Sequence, residues 1–320
     1  MSARTKSKVT PKYKTKYRVQ NWRAYEASLR QRGDVTVWFD EGIVDAWNAR
    51  SSGHRGGQQR YSDLAIVTVL TLRAVFHLAL RQAEGFVGSL IRLMDLDLET
   101  PDHTTLSRRS ATVIVPPPVP VHAGPIHLVI DSTGLKMMGD GEWHVLRHKP
   151  GNQRRSWRKL HLGVDADGFI VAAALTESGV DDSSVGAAII RGLGSGIKRF
   201  NADGAYDSRA VYEALAAGGA EVKIVIPPRR EATASGDDVL HQRDAAIARI
   251  KEVGRRRWRK EAGAHQQARA ENAMLRYKRI VGDVLRARTM AAQTTEAMIA
   301  VSVLNRMTVL GTPASAPVVP

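Results

Sequence analysis

The chain has 320 residues with 47 Lys and Arg against 32 Asp and Glu, a formal net charge of +15 and pI ≈ 10.3. That balance selects a polyanionic partner, nucleic acid ahead of a membrane surface, because the basic residues do not gather on one amphipathic helix. The absence of cysteine excludes disulfides and thiolate zinc sites and fits a reducing cytosol.

Residues 1–34 carry ten Lys and Arg against two acids and read as a basic arm, either a solvated tail or a strip that binds phosphates. No signal peptide is read in this stretch. The most apolar segment, Leu64–Leu80, is interrupted by Arg73 and His77, so it reads as a buried helix and not as a membrane span. Residues 35–112 read as a helical domain. Ser62 is the expected N-cap of a helix with little to break it before Arg81, a second helix covers Gln82–Met94, and Asp102 or Thr104 caps a short third helix carrying Arg108 and Arg109. Three short helices with a basic last one resemble a helix-turn-helix unit, in which the final helix enters the major groove; a plain packing domain reads the same way. Clustered prolines in 113–125 exclude helix and mark a linker.

Beyond the linker the apolar pattern changes. Ile126–Asp131 is a near-continuous apolar run, as in a strand buried on both faces. Leu160–Val164 and Phe169–Ala174 flank Asp165-Ala-Asp-Gly168, a hairpin turn. A helix capped by Asp181-Asp182, a strand over Ile197–Ala202, a helix capped by Asp207-Ser208 and a strand over Val222–Ile226 follow. This succession predicts a ribonuclease-H-like α/β fold over 126–311, a mixed sheet with helices on both faces, preceded by the α-helical N-terminal domain. Residues 312–320 read as a disordered tail.

Asp131 is expected at the end of the first strand and Asp203 at the end of the fourth, where open α/β sheets form their crevice. Glu271 lies on a basic helix read over Gln266–Arg288, with Lys278 two turns on along nearly the same face. Three acids from distant parts of a basic chain suit a pair of Mg²⁺ ions, which take hard oxygen ligands and can hold both the attacking and leaving oxygens of a phosphodiester. The remaining acids read as turn residues or caps. Arg147–Lys159 holds six Lys and Arg, including Arg154, Arg155, Arg158 and Lys159, around Trp157. Arg255, Arg256, Arg257 and Trp258 form a second cluster, and Arg229 with Arg230 a third. Cations interleaved with flat rings suit a DNA backbone and an unstacked base. For Trp157 a place in the core competes evenly with that role.

The segments Val129-Ile-Asp131-Ser-Thr-Gly-Leu, Arg155-Ser-Trp157-Arg-Lys-Leu-His161, Asp203-Gly-Ala-Tyr-Asp207 and Arg269-Ala-Glu271-Asn, with Pro101-Asp-His-Thr-Thr-Leu-Ser-Arg108 and Asn305-Arg-Met, resemble bacterial insertion-sequence DDE transposases of the insertion-sequence-five family. The resemblance covers nearly the whole chain. It implies that Asp131, Asp203 and Glu271 are the catalytic metal ligands, Asp131 bridging two Mg²⁺ (or Mn²⁺) ions. It implies cleavage at transposon ends, attack of the freed 3′-hydroxyl on target DNA, double-stranded DNA as partner, a homodimer holding both ends, and a cytoplasmic, nucleoid-associated bacterial protein. The family signature places a tyrosine seven residues and an arginine four residues before the glutamate, and a lysine seven after it. Glu271 and Lys278 fit; Ala264 and Gln267 stand at the other two positions. That departure keeps two alternatives open beside the transposase, a weakened or inactive copy that only binds DNA and a nuclease of the same fold.

Overall fold

The computed structural model describes residues 17–39, 41–50, 53, 56–118, 124–138, 157–219 and 221–318. In the N-terminal part a short strand β1 (Tyr17–Val19) leads into α1 (Trp22–Gln31) and α2 (Glu41–Asp45). Three helices follow: α3 (Asp63–Val75), α4 (Leu80–Leu93) and α5 (His103–Arg109). Ser62 caps α3 by accepting from Ala65 N at 3.0 Å, and Asp102 caps α5 through Thr104 N and Thr105 N at 2.8 and 2.9 Å. Hydrogen bonds from Thr104 and Thr105 hold the Asp102 carboxyl well below the usual carboxylate range.

The helix expected to continue to Arg81 stops at Val75. His77 adopts φ 55 and Leu78 N donates to Arg73 O at 3.0 Å, the bond that closes a helix with a left-handed residue after its cap. The chain then turns, and α3 and α4 meet at 110°. No single helix among the described residues is long and apolar enough to cross a membrane.

The second part is a six-stranded mixed sheet in the order β4-β3-β2-β5-β6, with β7 also paired to β2. Its strands are β2 (Ile126–Met137), β3 (Trp157–Val164), β4 (Ile170–Glu177), β5 (Ile197–Asn201), β6 (Lys223–Val225) and β7 (Val284–Leu285). The pairs β2–β3 and β3–β4 are antiparallel; β2–β5, β5–β6 and β2–β7 are parallel. Asp165 builds the β3–β4 turn by accepting from Asp167 N and Phe169 N, both at 2.9 Å.

Alternation along β2 supplies both faces of the sheet. Leu128 and Ile130 pack with Phe200, Tyr206 and Tyr212 under α6 (Asp182–Leu193) and α7 (Arg209–Ala216). Val129 and Leu135 pack on the other face with Ala270, Ala273 and Met274 of α10 (Ala268–Ile280) and with Leu304 of α11 (Met290–Leu310). Helices α8 (His241–Val253) and α9 (Arg255–Ala262) lie between β6 and α10 in the chain. Each fully buried aliphatic or aromatic side chain here contributes about 1.5–3 kcal/mol of transfer free energy.

Helix α11 is apolar nearly all round because it is buried from two sides. Ala297, Ala300 and Val301 face the sheet, while Ile299, Val303 and Met307 enter the core of α3, α4 and α5. Its Asn305 side chain donates to Ile170 O and accepts from Ile170 N at 2.7 and 2.8 Å, so the helix is bolted to the edge strand β4.

The tail and part of the arm depart from expectation. Ser315–Pro317 forms β8, antiparallel to β1, and Asn21 exchanges side-chain hydrogen bonds with Thr312 O and Ala314 N at 2.9 and 2.7 Å. The two ends of the described chain therefore tie each other down, and the disorder expected for 312–320 does not extend to residues 312–318. Residues 17–34 are likewise structured, with Arg32 Nη2 donating to Gly311 O at 2.9 Å; residues 1–16 lie outside the described residues.

Candidate active site

Strand β2 does not end at Asp131; it runs six residues further, to Met137. What changes near Asp131 is the strand alongside. β5 pairs with β2 only up to Val129, and β7 takes up the same role from Lys136. Between them the edge of β2 facing away from β3 has no partner strand among the described residues, and Asp131 sits in that gap.

Three elements close around the gap. β5 ends at Asn201, and Asp203 caps the single helical turn Gly204–Tyr206 by accepting from Ala205 N at 2.9 Å. The helix α10 carries Glu271 in its first turn, exposed. The helix α6 begins with Asp181 and Asp182. Asp131 itself is half-buried, and its Oδ1 accepts from Ser132 N at 2.8 Å. Burial pushes its carboxyl up to about 6, and the negative charges of Asp203, Glu271 and Asp182 add to the rise.

The turn before α10 is fixed by a polar network. Asn201 Oδ1 accepts from Arg199 Nε and meets His127 Nε2, both at 3.0 Å, while Arg199 Nη2 donates to Ala262 O at 2.8 Å. Arg269 Nη1 lies 3.3 Å from His127 Nδ1. Both contacts suit an imidazole that is neutral with its proton on Nε2, and burial holds His127 below its ordinary value. Gly263 stands at φ 76, and a Cβ there would lie 2.5 Å from Arg199 Nη2, so the close approach requires glycine.

This network places Gln267 in the turn Ala264–Gln267 and not inside the helix, which starts at Ala268 and ends at Ile280, eight residues short of the expected Arg288. Gln267 Nε2 donates to Ile130 O at 2.9 Å, and its Oε1 is buried with no partner among the described residues. Arg269 points away to His127. The arginine missing at position 267 is thus not replaced by the one two residues later.

Sequence reasoning missed the support on the opposite face. The ring of Tyr206 rests on Gly186 of α6, where an added Cβ would lie 2.7 Å from Cδ1. Its hydroxyl is buried beside the Ser132 side chain. Burial, with Asp182, Asp131 and Asp203, pushes its pKa up. Asp182 pairs with Lys159 at 3.1 Å and lies 3.8 Å from the fully buried His161, whose Nε2 meets Thr176 Oγ1 at 2.9 Å. Of the two consecutive aspartates, Asp181 takes the cap, accepting from Ser184 N at 3.0 Å. The signal was there, since one cap needs only one of them. Asp207 is no cap either; it is a buried carboxylate held by Arg243 Nε at 2.9 Å and by Arg229 N at 3.2 Å.

Several cations expected to face DNA have internal partners. Arg109 donates to Tyr61 O and pairs with Asp63. Arg158 is held by Gln293 at 2.9 Å and Glu177 at 3.4 Å, and Lys159 by Val180 O at 2.7 Å as well as Asp182. Arg255 donates to Pro228 O at 2.7 Å, and Arg257 to Glu261 at 2.9 Å. Trp258, expected exposed, is buried at 6% because it forms the inner side of α9. Trp157 is half-buried, and a Cβ on Gly134 would lie 3.2 Å from its ring, which favours the packing role. Arg108, Arg229, Arg230 and Arg256 are exposed, Lys278 is half-buried, and Arg154 and Arg155 lie outside the described residues.

Two family models, both described as Transposase DDE domain, match the chain, one over residues 30–140 and the other over residues 122–306. The chain belongs to the DDE transposases. It is therefore a DNA transposase, an enzyme that acts on DNA, and members of this family generally use divalent metal ions. Among the described residues, no three His, Asp or Glu side chains stand close enough together to hold one ion. The donors nevertheless fit a divalent cation in kind. All three are carboxylates, and the pKa of Asp131, raised mainly by burial and further by neighbouring negative charge, marks an ionised form that a cation would stabilise.

Proposed function

We propose that this transposase binds the ends of its insertion sequence, cleaves there and joins the 3′-hydroxyl ends to target DNA, with Asp131, Asp203 and Glu271 as its metal ligands. The reading rests chiefly on Asp131, which lies in the gap between the two parallel partners of β2 and feels the charges of Asp203 and Glu271. When bound, two Mg²⁺ or Mn²⁺ ions supply charge stabilisation at phosphorus and a lowered pKa for the attacking water or hydroxyl. Glu271, on the exposed first turn of α10, and Asp203, on a capped turn, bring the second and third carboxylates. Lys278, two turns along α10, holds a DNA phosphate. Exposed Arg108, Arg229, Arg230 and Arg256 extend the track for the backbone, and Arg154 and Arg155 belong to the same proposal from sequence.

Two transposon ends have to be joined in one event, so the working unit is a homodimer. The insertion-sequence-five group accommodates all of this. One observation favours a slower variant of the same enzyme: the neutral Gln267, already committed to Ile130 O, brings no positive charge to a phosphate.

Titration of Mn²⁺ into the full chain tests the ligand set. Asp131→Asn, Asp203→Asn and Glu271→Gln are each expected to weaken binding at least tenfold, with the fold retained by circular dichroism. Unchanged binding in all three removes these residues as ligands.

A further inference from the structure

A cavity of about 550 Å³ opens where α3 and α5 meet the start of α11, away from the three carboxylates. Its lining has an uneven charge. Arg73, Arg286 and Arg288 face it against a single acid, Glu296. That acid is already engaged, since its oxygens accept from Arg286 N at 3.0 Å and Ala287 N at 2.8 Å. Arg286 is engaged too, with Nη1 donating to His77 O and Leu78 O at 3.3 and 3.1 Å, where α3 turns into α4.

Arg73 is different. Its Nε is buried with no partner among the described residues. Burial lowers its pKa, with Glu296 opposing and Arg286 adding to the fall. Burial is the main cost to this guanidinium, Glu296 offsets part of it from a distance, and an anion in the cavity would give the cation a direct partner. Guanidinium geometry matches the paired oxygens of a phosphate. The rest of the wall mixes apolar side chains such as Leu70 and Ile299 with His77 and the hydroxyls of Ser107, Ser110, Thr289 and Thr295, and the volume lies within the roughly 300–1,000 Å³ of small-molecule sites. In an enzyme acting on DNA, a phosphate carrying a flat ring with apolar faces and hydrogen-bonding edges is a nucleotide, and this mixed wall suits both.

We propose that this cavity binds one nucleotide, its phosphate on Arg73 and Arg288 and its base against the mixed apolar and hydroxyl-bearing wall. The nucleotide is either free or the terminal residue of a DNA strand.

Calorimetric titration of the full chain with dAMP, deoxyadenosine and inorganic phosphate tests it. The expected result is binding of dAMP, with deoxyadenosine and phosphate each at least tenfold weaker. Arg288→Ala removes one charge-assisted contact and should weaken dAMP binding by roughly tenfold or more. Ser107→Trp, at an exposed position on the rim, should block the cavity and abolish binding with the melting temperature unchanged. Asp203→Ala should bind dAMP as the parent does, which separates this site from the catalytic carboxylates. A 5′-phosphorylated oligonucleotide that displaces dAMP at high salt, where its unphosphorylated twin does not, assigns the site to a strand end; no displacement assigns it to free nucleotide. Failure of the parent protein to bind dAMP, phosphate binding as tightly as dAMP, or dAMP binding untouched by both cavity variants overturns the proposal.

Discussion

Gln267 donates from Nε2 to the carbonyl of Ile130 at 2.9 Å, one residue before Asp131, while its Oε1 is buried without a partner among the described residues. The turn before α10 is thereby fastened to the stretch of β2 that has lost β5 and not yet gained β7. The bond is structural, and it leaves the neighbourhood of Asp131 without the positive charge that the signature arginine would bring.

Gln267→Arg keeps a donor for Ile130 O and adds a guanidinium. A charge-assisted hydrogen bond to phosphate is worth about 1.5–3 kcal/mol, so the strand-joining rate should rise by about tenfold to a hundredfold. Gln267→Ala removes the donor and leaves the carbonyl unpaired, which should destabilise the protein by about 1–3 kcal/mol in urea unfolding. A rate unchanged by the arginine would mean that position 267 does not face the DNA.

Asp131 has its carboxyl pushed up to about 6 in the fold, against about 3.9 in an unfolded chain. The folded state therefore holds the proton more tightly between those values. Metal-free stability should rise as pH falls from 7 toward 4, opposite to a salt-bridged aspartate. After allowance for screening at this half-exposed position, the ionised group destabilises by about 1–2 kcal/mol at neutral pH. Asp131→Asn should accordingly raise the metal-free Tm by about 2–8 °C at pH 7, flatten the slope between pH 4 and 7, and abolish strand joining. A lower Tm in the variant would contradict the burial and repulsion assigned to Asp131.

Asp207 and Arg243 form a pair whose carboxylate is fully buried, with Arg243 Nε 2.9 Å from Oδ1. Removing one partner of such a pair leaves a buried charge uncompensated, at about 3–5 kcal/mol. Asp207→Ala and Arg243→Met should each lose stability on that scale in urea unfolding. Were both variants close to the parent, the pair would be a surface contact in solution.

The sheet and its helices were legible because periodicity and capping are local. The apolar run at Ile126–Ile130, the Asp165 turn and the Ser62 cap each carry their structure in a few adjacent residues. What was not legible depended on partners far along the chain. β2 continues past Asp131 because β3 and β7 pair with it, and residues 312–318 are ordered because β8 meets β1, about 300 residues away. Basic clusters misled for the same reason: a run such as Arg255–Lys260 shows its charge but not that Glu261 and Pro228 O take two of its guanidiniums and that Trp258 turns inward. Among the acids, the sequence pointed to Asp131, Asp203 and Glu271, whereas Asp182 was hidden behind its neighbour's cap.

The central claim is that Asp131, Asp203 and Glu271 together carry phosphodiester chemistry, and a strand-transfer assay tests it most directly. Purified protein, a labelled DNA carrying the element's own ends, a plasmid target and Mg²⁺ or Mn²⁺ are incubated beside Asp203→Ala and Glu271→Gln. The account predicts joined product that requires the metal and disappears in both variants while binding to the DNA ends persists. Joined product of equal yield in either variant would contradict it.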